Sequence, residues 1–250
     1  MNSIANQKKS GITRISVPKA SDILADQLRD LILNGTLRLG DYLPSERDLV
    51  VESNLSRSTV RDSLRLLEVE GLITTRPGRS GGSIVQLPNR KTIAQPIELF
   101  VKSHEIQLES LLDCRLTLEP FLAARAATNR TEEELAEIIL LNKAFNNTGD
   151  DISEYTQLNL EWHLAVARAA HNELLLGFME AIAKPILEAA DYQMVTTSKI
   201  RAAAKLAHMK VLEAIKSQDS DLAHLRMTQH IGAYIKVSDK LTTEDRLKKK

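Results

Sequence analysis

Internal disulfides are excluded, because Cys114 is the single cysteine. That suits a reducing compartment. Its leucine neighbours point to inert packing. Charge of one sign is also missing: 33 Lys and Arg balance 33 Asp and Glu. Net attraction to nucleic acid is thereby excluded, so any DNA affinity must come from local basic groups. No apolar run approaches the roughly 18 residues of a membrane span. The polar N-terminal stretch has no hydrophobic region of a signal peptide. Together these absences imply a cytoplasmic protein with no membrane partner. Aromatics make up 4% and glycines number ten, so a core must be aliphatic. There is no His-Glu-x-x-His helix, no Gly-rich phosphate loop and no nucleophile elbow. Little is left on which to build an enzyme.

What is present divides the 250 residues into two parts. A chain of this length accommodates two ordinary domains, and 43% hydrophobic residues suffice for real cores. Leu43 to Ile73 reads as two short helices leading into a β-ribbon. Pro44 suits the first turn of the first helix. Glu46 and Asp48 sit at its positive end. Ser56 caps the second, which runs to about Glu70 and stops at Gly71. Val60, Leu64 and Leu67 fall on one stripe of that helix. Arg57 and Arg61 lie one turn apart beside the stripe, next to Ser58 and Thr59. Two guanidinium groups and two hydroxyls at the start of a helix can serve phosphates and guanine edges. Solvated charges on an ordinary helical hairpin would look the same.

The next residues favour the first reading. Leu72–Thr75 and Ser83–Leu87 are β-prone runs, and between them lies Arg76-Pro77-Gly78-Arg79-Ser80-Gly81-Gly82. A glycine-rich basic hairpin after a helix-turn-helix is a winged helix. Leu43-Pro44-Ser45-Glu46-Arg47-Asp48-Leu49, Ser56-Arg57-Ser58-Thr59-Val60-Arg61, and Glu70-Gly71-Leu72-Ile73 closely resemble the N-terminal domain of GntR-family transcription regulators. Asn54-Leu55 departs from the glycine and small aliphatic residue usual there. The resemblance implies a double-stranded DNA operator, read by Arg57 and Arg61, with Ser58 and Thr59 on phosphate. Arg47 would support them, and Gly78 would belong to the wing tip.

Residues 1–18 are polar and read as a flexible arm. Helical spacing from Ser21 to Asn34, stopped by Gly35, supplies the first helix of a winged unit spanning 19–87. Residues 88–91 form a linker beginning at Pro88. From there to residue 238 only helical periodicity is visible, over about 92–103, 106–129, 131–146, 150–170, 173–196, 199–217 and 220–238. Pro96, Pro120 and Pro185 lie inside these segments and should kink them or shift a boundary. Residues 239–250 read as a basic, solvated tail. The expected fold is therefore mainly α: a winged helix-turn-helix with a small β-ribbon, then an all-α bundle.

Asn159 and His163 are four residues apart on one helix and share a face with Ile152, Val166 and Ala170. His208 and His230 also sit on apolar faces, equidistant from a turn near Gln218-Asp219, so they come level across a helical hairpin. Three inward histidines and an amide oxygen can thus form a metal site of the kind bundles build. Separately hydrogen-bonded core histidines remain the alternative. Glu161 lies about 160° from His163 on the helical wheel, poorly placed as a base there.

Asp113-Cys114-Arg115 with Leu118-Glu119-Pro120, Asn159-Leu160-Glu161-Trp162-His163, His171-Asn172, Ala207-His208 and the last helix resemble the FCD effector domain of the FadR-type branch of the same family. The resemblance implies a divalent ion (zinc, nickel or manganese) on Asn159, His163, His208 and His230, beside a carboxylate effector. The usual aspartate is here Asn159, which brings no charge. Arg115 matches an arginine that holds the effector carboxylate; the alternative is a surface Arg115–Glu119 pair. The implied protein is a homodimeric repressor, released from a palindromic operator by a small carboxylate. A metal-free sensor of an acyl thioester and a metal-dependent hydrolase are the competing readings.

Overall fold

A computed structural model describes residues 17–76, 78, 81–188 and 197–248. The chain divides into two compact units, one up to Asn89 and one from Arg90 onward.

The first unit contains α1 (Ala20–Leu33), α2 (Glu46–Ser53), α3 (Arg57–Val69), β1 (Ile73–Arg76) and β2 (Gly82–Val85). Ser45 caps α2 by accepting from the Asp48 amide at 3.2 Å. Pro44 therefore precedes the cap instead of occupying the first turn. Ser56 caps α3 in the same way, through the Thr59 amide at 3.2 Å. Between the two helices Asn54 takes a left-handed conformation, φ 55°. Asparagine is among the few side-chain-bearing residues that adopt this readily, which explains how it replaces glycine in this turn. Val60, Leu64 and Leu67 are buried against Leu24, Leu28, Ile32 and Leu49. The strands pair antiparallel with Ile73 opposite Val85 and Arg76 opposite Gly82. Tyr42 adds a bridge to Ile84 on the other edge of β2, which the sequence pattern did not show.

The second unit holds α4 (Arg90–Ser103), α5 (Leu108–Asn129), α6 (Glu132–Asn147), α7 (Ile152–Ala169), α8 (Glu173–Glu188), α9 (Ser198–Lys216) and α10 (Ser220–Lys248). No strand occurs there among the described residues. Thr131 and Glu134 form a reciprocal capping box on α6. His171 and Gln218 end α7 and α9 with positive φ. The main core joins α5, α6, α7, α9 and α10 through Ala123, Ile138, Trp162, Val166, Val211, Ile215, Met227 and Ile231. The helix α4 lies along α8, where Arg90 bonds Glu173 at 2.8 Å and Glu180 at 2.9 Å.

Besides Pro44, four further expectations need correction. The helix α4 starts at Arg90, so residues 90–91 are helical and do not belong to a linker. Residues 239–248 continue α10, where a largely polar composition, with Leu241 and Leu247 its only apolar residues, still permits helical propagation from a packed segment. Cys114 is exposed, because it faces away from the stripe that α5 buries. Ile152 is also exposed, to 38%, at the first turn of α7. The three prolines lie inside α4, α5 and α8. Most of the expected arm, the end of the 173–196 segment, and Pro77, Arg79 and Ser80 of the wing lie outside the described residues.

Candidate functional site: a histidine cluster and a basic recognition helix

In the helical unit, α7, α9 and α10 bring three imidazoles together. His208 Nε2 lies 3.1 Å from His230 Nε2, which lies 3.3 Å from His163 Nε2. His163 and His208 are fully enclosed. His230 is partly exposed as a residue, with its ring nitrogen turned inward. The ring of His208 stacks on Trp162 at 3.9 Å between centroids and on Phe145 at 4.5 Å. These aromatic walls fix its orientation and remove it from water. Its Nδ1 is buried with no hydrogen-bond partner among the described residues.

His163 is oriented from behind. Its Nδ1 lies 2.5 Å from Glu119 on α5. Glu119 also pairs with Arg115, one turn earlier on the same helix. Burial alone would raise the Glu119 pKa, but the Arg115 charge, followed by His163, holds it well below the usual carboxylate range. Burial pushes the His163 pKa down, against the pull of Glu119. It pushes His208 and His230 far down, helped by the neighbouring imidazoles. The set is therefore an ionised carboxylate and three neutral rings. With the proton of His163 on Nδ1 toward Glu119, its Nε2 presents a lone pair to the other two nitrogens.

That arrangement fits a metal ion. Tetrahedral zinc with nitrogen ligands at about 2.0–2.1 Å places those nitrogens about 3.3 Å apart. The three ring nitrogens lie within 4.8 Å of one another. Asn159 and Arg115 line an inner cavity of about 10 Å³ together with Tyr155, His230 and Tyr234. A second cavity of about 240 Å³ opens between α9 and α10, with Ala204, His230 and Tyr234 as shared wall and Lys210 and Arg226 on its lining.

The structure thus brings His163, His208 and His230 together, and it places Asn159 and Arg115 with His230 on the lining of the inner cavity. It also corrects the picture of Arg115 and Glu119 as a surface pair: they are 6% and 2% exposed. Glu119 as the support of His163 was not foreseen. The spacing of 115 and 119 shows that they share a face, but not what stands across the bundle. His224 is solvent-exposed, His171 meets Glu134 at 2.9 Å, and His104 stacks on Phe100. None of these joins the cluster.

In the first unit, Arg57, Ser58 and Arg61 are exposed at the start of α3, and Thr59 is half-buried. The Ser58 and Thr59 hydroxyls each lie 2.8 Å from Ser56 Oγ. Arg61 Nε donates to Glu46 Oε2 at 2.9 Å, tying α3 to α2. Arg47 is exposed on α2. Gly78 is exposed at the wing with φ 119°, a conformation reserved for glycine.

A winged helix followed by a helical bundle with a buried histidine cluster beside a cavity fits a two-domain transcription regulator. The chain belongs to the GntR family: residues 20–81 match the model of bacterial regulatory proteins of the gntR family, and residues 110–233 match the FCD domain. It is 28% identical, over 86% of its length and 84% of the relative's, to a protein assigned to regulation of the L-lactate dehydrogenase operon in Escherichia coli K12. It is 32% identical to the Glc operon transcriptional activator of the same organism, over 64% of this chain and 65% of the relative. A solved GntR structure from Streptococcus agalactiae has the same fold, with TM-score 0.64 and 23% identity, covering 86% of this chain and 99% of the other. The family consists of DNA-binding regulators, not enzymes.

Proposed function

We propose that the chain is a homodimeric cytoplasmic repressor whose helical unit senses a small carboxylate at a metal ion. His163, His208 and His230 would hold the ion, with the Asn159 carbonyl oxygen as a fourth donor. Zinc, nickel and manganese are the candidate ions. When bound, such an ion supplies a fixed positive charge for a carboxylate. Arg115 adds a planar fork on the same inner cavity, and Tyr155 and Tyr234 border it. The convergence of three ring nitrogens, each within 3.3 Å of a neighbour, carries this reading. The relatives whose names mention metabolic operons support a metabolite as the signal.

On DNA, α3 would enter the major groove of each half-site, with Arg57 and Arg61 on bases and phosphates. Ser58, Thr59 and Arg47 would contact the backbone, and Gly78 would bring the wing to the neighbouring minor groove. The effector would act by favouring a dimer geometry in which the two α3 helices no longer match the half-site spacing.

Thermal unfolding against a panel of small carboxylates, with and without a chelator, tests the sensor. A ligand that binds only the folded chain raises the midpoint. One acid should raise it, and chelation should abolish the gain. A gain that survives chelation would remove the metal and leave Arg115 as the anchor.

A further inference from the structure

The charges around the cluster set it apart from a generic metal site. Three imidazoles are neutral ligands, and Asn159, on the lining of the inner cavity with His230, offers only an uncharged carbonyl oxygen. Glu119 is the carboxylate in contact with the cluster, but it stands behind His163 and its charge is matched by Arg115. Among the described residues, neither cavity next to His230 is lined by an acidic side chain, and the outer one carries Lys210 and Arg226. A divalent cation seated here would bring two positive charges into a buried site with no net negative charge. That is costly in a low-dielectric interior, because these donors replace water ligands without supplying negative charge.

We propose that Asn159 makes the site anion-dependent: the chain takes up a divalent cation tightly only together with a small carboxylate. The inference rests on the reading of the three histidines as ligands. The carboxylate supplies the charge that the protein withholds. Lys210 and Arg226 on the outer cavity favour its approach, and the shared wall of His230 and Tyr234 places that cavity next to the cluster. By linkage, each partner then raises the affinity for the other by the same factor. The regulator would respond to the coincidence of metal and acid, and the metal alone would leave it largely unloaded.

Zinc titration of the purified full chain by calorimetry tests this, with L-lactate, gluconate and benzoate as probes at millimolar concentration and protein-free blanks subtracted. At least one acid should raise the apparent zinc affinity about tenfold or more. Asn159→Asp places the missing charge in the protein. It should bind zinc more tightly than the parent chain without any acid, and the gain from the acid should shrink. If zinc binds equally well with and without all three acids, the anion dependence is overturned while the metal site stands. If zinc binding is weak throughout and unaltered by His163→Ala or His208→Ala, the histidines are not ligands and both readings fall. Should the Asn159 variant not fold, the comparison on the parent chain decides alone.

Discussion

At the scale of single residues, Glu119 does two jobs. It neutralises a buried guanidinium and holds the His163 ring. Removing it leaves Arg115 charged and buried without that partner. Glu119→Ala should therefore cost about 3–5 kcal/mol, measured by urea unfolding. The histidines predict a pH dependence for chelator-treated protein. Their folded pKa values lie below the ordinary value near 6.5, so below about pH 6.5 the unfolded chain takes up protons that the folded one refuses. Stability is full above that pH and falls as pH drops toward 5, by up to about 1.4 kcal/mol per pH unit for each histidine. A thermal midpoint that stays level from pH 7 to 5 would contradict this. On the DNA side, Arg61 is exposed and pairs with the part-exposed Glu46. Arg61→Ala should spare the fold and weaken operator binding by about 1–3 kcal/mol in a gel-shift assay.

At the scale of elements, the turn between α2 and α3 sets the direction of the recognition helix. Asn54 holds it in a left-handed conformation. Asn54→Gly should leave stability nearly unchanged, whereas Asn54→Ala should lose about 1–2 kcal/mol. Chemical denaturation of both variants checks the contrast. The helices themselves were legible from residue spacing, because the stripe of Val60, Leu64 and Leu67 and the Ser56 cap are local signals. The bridge from Tyr42 to β2 was not legible. A single residue pairing on a strand edge has no periodicity to reveal it. The extension of α10 to Lys248 was equally hidden, since Leu241 and Leu247, six residues apart, set no helical periodicity.

At the scale of the whole molecule, each unit has its own hydrophobic clusters among the described residues, one in the first unit and three in the second. Separate cores permit separate unfolding. Calorimetry should therefore resolve two transitions, with metal and acid raising only that of the unit beginning at Arg90. A single transition shifted as a whole would show that the units unfold together.

The sequence by itself determined the element types, the winged helix, the helical bundle and the inward faces of Asn159, His163, His208 and His230. Each of these follows from spacing along one helix, or from the symmetry of one hairpin about its turn. Only the tertiary structure decided what meets those faces. It put Glu119 behind His163, buried Arg115, and stacked His208 between Trp162 and Phe145. It also turned Cys114 to solvent. These are contacts between elements distant in sequence, and their register depends on how the helices pack, which no single-helix periodicity encodes.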